Sequence, residues 1–405
     1  MILSICIPTR NRQLYCVNAV KHMLANDGGD FEVVVADNSD SPEYLPSLLR
    51  DHGLDNDPRL KLLPSSAGRV YSMRENWERA WLATEGEWIG YIGDDDYVDP
   101  KATVLLKKIN PSYSTVDYVR WDRPLFDWPD NRSQFTTIKI SLINEIRKLS
   151  PQKTQISILN MNGGQSHVDG FSPYHAFTRR KLIDKVVKSQ GGKYFAHPMV
   201  DYVTGYKQAF MSEAAIYSFR PLSVVGASKP SNSAAVRDAD AALKAVDKFL
   251  REAQEDERSF LLFRYYNQFY ERHRQAPGIA ASIFLSLLDF LDSTENLNLS
   301  NDSPINLIKL VAKECEDHHD QRHFQMSVDA NRLFLADFIS QDNLKMFNPE
   351  FRMKPKEKVY IGLHENYLYV ANDFTNARSA GEFYSEMEKM ICPIERLGVN
   401  SKIVG

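Results

Sequence analysis

The chain has 405 residues, 43% of them hydrophobic and 25% charged, which is enough to bury a core in two or three domains of roughly 100–200 residues each. Wholesale disorder and a single small binding module are excluded. The formal net charge of −4 provides no global basic field for a phosphate backbone, so nucleic acid is not an expected partner. Cys6, Cys16, Cys315 and Cys392 stand singly, without a C-x-x-C pair, the pattern of a reduced, cytoplasmic protein. No stretch reaches the roughly 18–20 apolar residues of a membrane span, and Met1 runs into Ile2 to Ile7 without a basic leader, so neither a spanning helix nor a signal peptide is expected.

In chain order, Ile2 to Ile7 and Phe31 to Ala36 are short apolar runs without alternation, as expected of strands covered on both faces, with a helical pattern from Leu14 to Ala25 between them. Leu60 to Leu63 predicts a third strand. Ser72 to Thr84 predicts a helix carrying Trp77 and Trp81, and Glu87 to Ile92 a fourth strand that runs into Gly93-Asp94-Asp95-Asp96. Strand–helix alternation predicts an α/β domain with a largely parallel sheet, whose carboxyl edge is where ligands bind. Asp117 to Trp121 predicts another strand. Ser150 to Gly170 shows no period and reads as a mobile loop, a candidate lid.

A Lys/Pro/Ser/Asn connector from Ser228 to Ser233 places a boundary at residue 232, giving regions 1–231 and 232–405. Helical patterns dominate from there to about residue 346, among them Ala241 to Ala253, Phe260 to Arg274 and Ile279 to Leu291. A small hairpin within 359–370 and a closing helix from Ser379 to Met390 are expected to follow. The aromatic-rich stretch from Phe260 to Tyr270 has two readings, a packed core helix or an exposed face for membrane or oligosaccharide.

Gly93-Asp94-Asp95-Asp96 is the strongest chemical signal. Adjacent carboxylates repel, so the triplet is either an acidic surface turn or a site whose charge a divalent cation offsets. Asp37, at the end of the second strand, closes an Asx turn or faces a ligand. Asp201 opens a helix or acts in acid–base chemistry, and the two roles are compatible. His167, His175 and His197 are structural histidines or ligand contacts.

Five segments in order resemble the family 2 glycosyltransferases of GT-A fold. They are Ser4 to Arg12, Val33 to Ser39, Gly68 to Asn76, Gly86 to Asp96, and His197 to Tyr202, and the resemblance spans roughly residues 1–230. It implies an inverting transfer of a sugar from a nucleotide diphosphate sugar, with UDP-sugars favoured, to a saccharide or lipid-linked saccharide hydroxyl. Bacterial lipopolysaccharide, capsule or another surface glycan is the implied product, and peripheral contact with the inner membrane face is compatible with it. By the same resemblance Pro8, Thr9, Arg10 and Asp37 line the base pocket, and Arg69 or Arg74 faces the diphosphate. Asp94 and Asp95 bind donor, Asp96 holds Mn²⁺ or Mg²⁺, and Asp201 is the general base. His167, Asp169, His175 and His197 fall where the acceptor is expected. Two rivals remain: a non-catalytic nucleotide-sugar or glycan-binding scaffold, and a sugar nucleotidyltransferase, which would need a Gly-rich loop where Pro8-Thr9-Arg10-Asn11-Arg12 stands. The region after 232 is expected to serve the acceptor site or an oligomer contact.

Overall fold

The computed structural model describes residues 1–27, 30–66, 68–112, 114–131, 136–162, 169–230, 263–274, 278–318, 320–352 and 360–397. The predicted strand–helix alternation is present: β1 (Leu3–Thr9), α1 (Gln13–Leu24), β2 (Phe31–Asp37), α2 (Tyr44–Asp51), β3 (Leu60–Leu63), α3 (Met73–Leu82) and β4 (Trp88–Tyr91). After β5 (Tyr97–Val98) and α4 (Ala102–Ser112) come β6 (Val116–Trp121), β7 (Leu125–Asp127), β8 (Thr137–Ser141) and β9 (Ile146–Leu149). The domain continues through α5 (Pro151–Leu159), β10 (Ala176–Arg179), α6 (Arg180–Ser189), α7 (Val200–Met211), β11 (Ala214–Ser218) and β12 (Ser223–Ala227).

Eight strands form one sheet in the order β3-β2-β1-β4-β10-β6-β11-β9. β1 pairs in parallel with β2 and β4, β2 with β3, and β6 with β11, whereas β10 runs antiparallel between β4 and β6. Six strands therefore end at the same edge, where Thr9, Asp37 and the Asp94–Asp96 turn meet. This is the α/β architecture expected from the sequence. The apolar runs of β1 and β2 are buried throughout, as strands covered on both faces require. Helix α3 starts from a full capping box: Ser72 Oγ accepts from Glu75 N at 3.2 Å, and Glu75 Oε2 accepts from Ser72 N at 2.9 Å, so two orphan donors are satisfied. Its Trp77 stacks flat on Tyr91 of β4 at 4.9 Å.

One expectation is corrected. The stretch from Ser150 to Gly170, read as an aperiodic loop, is helical in its first half. Ser150 Oγ accepts from Lys153 N at 3.2 Å, with Pro151 in the first turn, and these two start signals outweigh the weak apolar period. Buried Ile158 then anchors α5 in a core shared with α7.

The later chain is helical as expected, with α8 (Arg264–His273), α9 (Ile279–Asp292), α10 (Ser303–Glu316), α11 (Gln321–Phe338) and α12 (Gln341–Leu344). The expected helix over Ala241 to Ala253 lies outside the described residues. The aromatic stretch is core along its described part: Phe263, Tyr266 and Phe269 are buried with Phe284 and Phe334. This core is continuous with the first domain, because Tyr206 of α7 packs at a tilt against Phe290 of α9, with ring centroids 5.5 Å apart. The hairpin expected near 359–370 is β13 (Gly362–His364) with β14 (Tyr367–Ala371), and α13 (Ala380–Glu388) follows. Both return to the first domain. β14 pairs antiparallel with β8 from Tyr367↔Ser141 to Ala371↔Thr137, and Phe383, Tyr384 and Met387 of α13 join the core containing β1, β2 and α1.

Candidate active site

The chain leaves β1 through Arg10-Asn11-Arg12. Asn11 takes a left-handed φ of 57°, a conformation asparagine tolerates better than most residues, and its side chain bonds Asp40 at 2.8 Å. This turn sends the two arginines apart. Arg10 pairs with Asp40 at 3.3 Å, while Arg12 reaches back to Asp94 Oδ1 at 2.7 Å and Asp95 Oδ2 at 3.5 Å.

The acidic triplet is almost wholly enclosed, with Asp94, Asp95 and Asp96 at 0%, 3% and 1% exposure, so it is not a surface turn. Asp94 Oδ2 accepts from Thr9 Oγ1 at 2.6 Å and Arg12 Nε at 3.1 Å. Asp95 Oδ2 accepts from Ser228 Oγ at 2.5 Å and Ser228 N at 3.2 Å. Asp96 Oδ2 accepts from Gly93 N at 2.6 Å, from His175 Nε2 at 3.0 Å and from the Tyr174 hydroxyl, and its Oδ1 from Gly226 N at 2.7 Å. Gly93 and Gly226 permit this closeness. A Cβ on Gly93 would lie 2.9 Å from Asp96 Oδ2, and one on Gly226 only 1.8 Å from the Asp95 carbonyl oxygen.

Charge within the triplet is unevenly supported. Burial pushes the Asp94 carboxyl up to about 7 against the pull of Arg12. Burial, and then the neighbouring Asp96 charge, also raises Asp95. Asp96 is held below the usual range: burial opposes its charge, but His175, Tyr174 and the Gly226 N–H outweigh it. No hydrogen bond reaches Asp95 Oδ1 among the described residues. One carboxylate oxygen of the triplet is thus left open to a ligand, and among the described residues no group of three or more acidic, histidine or cysteine side chains is arranged to hold a metal ion. The open oxygen belongs to Asp95. Asp96, expected to be the metal ligand, already accepts four hydrogen bonds.

Asp94 also sets a pH dependence. Its folded pKa lies above the 3.8 of free aspartate, so the folded chain binds the extra proton more tightly than the unfolded chain. The stabilisation is complete below the unfolded value and is lost as pH rises through the folded one. In cation-free buffer the Asp94 contribution to the thermal midpoint should therefore fall between about pH 4 and pH 7, and Asp94→Asn should flatten that fall. Equal slopes for the two proteins in a thermal scan would contradict it.

Asp37 is fully buried. Its Oδ1 accepts from Ser39 N at 2.9 Å, the Asx turn that the sequence allows, while Oδ2 is buried with no hydrogen-bond partner among the described residues. Burial raises its pKa. Thr9 is buried and joined to Asp94, and Pro8 is half-buried on the same strand end. Arg74 is buried on α3. Arg69 is exposed and turned to Glu75 at 3.3 Å.

The expected acceptor residues separate. His175, at φ 52°, belongs to the triplet: Nε2 meets Asp96, and Nδ1 meets Ser223 Oγ at 2.8 Å. His197 is a packing residue, 5% exposed, with Nδ1 accepting from Met199 N at 3.0 Å and Nε2 facing Asp289 of α9 at 3.3 Å. Asp169 opens the short turn Asp169–Phe171, with its backbone alone described, and His167 lies outside the described residues. Asp201 is half-buried in the first turn of α7, and its Oδ1 accepts from Tyr202 N at 3.1 Å.

Sequence reasoning missed Arg12, Tyr174, Ser223 and Ser228 as site residues. Arg12 lay inside a motif already recognised. Tyr174, just before β10, and Ser223 and Ser228 of the segment 223–228 had no local signal, because they meet the triplet only through tertiary contacts.

Residues 4–187 match the family model described as glycosyl transferase family 2. Over this segment, just under half of the chain, the sequence is similar to that family. The chain is accordingly a glycosyltransferase, and its sheet and helical second region are those of the expected fold. No curated protein matches it. Among solved structures, S. aureus TarS 1–349 in complex with UDP-GlcNAc is 14% identical over 86% of this chain and 90% of that chain, with a TM-score of 0.46. For the longer S. aureus TarS structure the alignment covers 55% of that chain at 14% identity and a TM-score of 0.43. The mannosyltransferase PcManGT from Pyrobaculum calidifontis, in complex with GDP-Man and Mn²⁺, is 14% identical over 83% and 85% of the two chains, with a TM-score of 0.38. No helix among the described residues is long and apolar enough to cross a membrane.

Proposed function

We propose that the glycosyltransferase domain performs a divalent-cation-assisted, inverting transfer of a sugar from a nucleotide diphosphate sugar to a saccharide hydroxyl. The observation carrying this reading is the convergence, on one sheet edge, of the buried and half-satisfied Asp37 with the enclosed Asp94–Asp96 triplet. Asp37 Oδ2 accepts an N–H of the donor base, which favours a pyrimidine and hence a UDP-sugar. Arg12 fixes Asp94 and Asp95, and Asp96 braces the turn through Gly93, His175 and Gly226. A cation would be held by Asp95, with Asp94 beside it, rather than by Asp96, and when bound it would offset charge developing on the diphosphate leaving group. Asp201 accepts the proton of the attacking hydroxyl. The sequence resemblance supports surface-glycan synthesis as the setting.

The decisive experiment is a panel of UDP-, GDP-, dTDP- and CMP-sugars, read by thermal shift and by slow hydrolysis, with Mn²⁺ or with excess chelator. One UDP-sugar should stabilise and be hydrolysed only with the cation. Asp37→Ala should weaken UDP binding by about tenfold to a hundredfold, the worth of one hydrogen bond to a charged group. Donor binding without hydrolysis or transfer would favour a scaffold, and no binding by any donor would overturn the reading. Full turnover in chelator would remove the cation from it.

A further inference from the structure

A cavity of about 260 Å³ opens between the end of β6 and the C-terminal hairpin, with Asp122, Arg123, Leu125, Thr137, Lys139 and Tyr367 in its wall. It is smaller than the roughly 300–1,000 Å³ of sites for drug-sized ligands, which suits a single pyranose ring better than a nucleotide. Its chemistry is that of a polyol site. The Tyr217 hydroxyl donates to Asp122 Oδ1, while Asp122 Oδ2 is buried with no hydrogen-bond partner among the described residues. A buried carboxylate oxygen in that state favours a ligand hydroxyl that donates to it. Around it stand the cations of Arg123 and Lys139, the hydroxyl of Thr137, and the ring of Tyr367, over which the Lys139 ammonium lies at 3.7 Å.

The register continues this surface outward. Ser141 pairs with Tyr367, and Lys139 with Tyr369, so Tyr367 and Tyr369 of β14 lie on the same sheet face as Lys139 of β8. Tyr360 packs edge-on against Tyr369 at 5.3 Å and is 49% exposed. A tyrosine face leading out of a cavity of mixed polar and apolar lining can stack successive rings of a chain while its hydroxyls keep hydrogen-bond capacity.

The position relates this cavity to the transfer site. Asp122 follows β6, one of the strands ending at the donor edge, and Trp121 beside it donates to Ser223 Oγ at 2.7 Å. Ser223 contacts His175, which holds Asp96, and Pro221 in the cavity wall precedes Ser223 by two residues. A chain held there would approach the donor edge from the side opposite the base pocket.

We propose that this cavity and the tyrosine face beside it bind the saccharide chain of the acceptor, with Asp122 accepting from a ring hydroxyl. The inference rests on the glycosyltransferase reading and adds to it the place where the acceptor is held. The test uses the full chain on an array of immobilised microbial capsular and lipopolysaccharide glycans, comparing wild type with Asp122→Asn, Tyr367→Ala and Lys139→Ala. Thermal midpoints establish folding, and the thermal shift with UDP reports the donor pocket separately. The expected result is retention of at least one glycan by wild type. Asp122→Asn and Tyr367→Ala should each lose at least tenfold of that signal, with the UDP shift kept. Retention of no glycan, equal retention by all folded variants, or competition for the glycan by UDP or inorganic phosphate would overturn the proposal. Glycan retention that depends on these residues, in a chain that responds to no nucleotide, would uphold the saccharide site and refute the donor reading. If Asp122→Asn fails to fold, the exposed Lys139→Ala together with Tyr367→Ala decides.

Discussion

Asp201→Asn should leave nucleotide binding intact and lower turnover by about 10²–10⁴-fold, the usual contribution of a positioned general base. The carboxylate sits in the first turn of α7, half-buried, so it is reachable from solvent at the start of that helix. The amide is nearly the same shape and still serves as a helix-opening residue, so folding should survive and the loss should appear in kcat rather than in the donor Kd. Slow hydrolysis of the donor by water should also fall, because water needs the same proton acceptor. Near wild-type turnover would move the base elsewhere, with Asp169 next in line. A fall in donor affinity of the same size as the fall in kcat would mark Asp201 as a donor-site residue instead.

The sheet was legible because its central strands are buried on both faces. Runs such as Val33 to Ala36 and Ile5 to Ile7 admit no alternation, and turn residues close each of them. The triplet was legible as a cluster, since three adjacent carboxylates are rare without a counter-charge. Which carboxylate stays open was not legible, because that depends on donors far away in sequence: Gly226 N and Ser228 come from a segment about 130 positions later. His197 and His175 illustrate the same limit. Both are buried histidines next to family motifs, yet one is tied to Asp289 of the helical region and the other to the triplet. Helix α5 was hidden because its apolar period is weak and its start depends on one serine and one proline. The return of residues 360–397 could not be read either, because an amphipathic helix announces that it has an apolar face without naming the surface that will cover it.

That return leads to the largest expected effect on the protein itself. A chain ending after Ser231 should fail to accumulate as a soluble, nucleotide-binding fragment, even though every proposed donor residue lies before that point. Arg220 is 1% exposed. Its guanidinium donates to the Cys392 carbonyl at 2.6 Å, to the Pro221 carbonyl at 2.9 Å and to the Tyr384 hydroxyl at 3.1 Å. Two of those three acceptors belong to the segment that truncation removes. A buried charge stripped of partners costs several kcal/mol. Phe383, Tyr384 and Met387 are each 1% exposed or less, and each contributes roughly 1.5–3 kcal/mol by burial. Strand β8 would lose β14 and become an unpaired edge, and α7 would lose the cover of α9. Together these losses rival the roughly 5–15 kcal/mol that holds a typical domain folded. Arg220 lies three residues before Ser223, so the damage would start at the strand that braces the triplet. Tyr384→Phe isolates the polar part of the effect: it keeps the ring but removes the hydroxyl that joins Arg220 to Asp99 at 2.9 Å, and it should lower the thermal midpoint by a few degrees without unfolding the chain. A 1–231 fragment that is soluble, melts cooperatively near the parent temperature and binds UDP as tightly as the full chain would show that the C-terminal segment is dispensable to the donor domain. Aggregation of the fragment together with a destabilised but active Tyr384→Phe protein would place the last forty residues within the catalytic domain's own core.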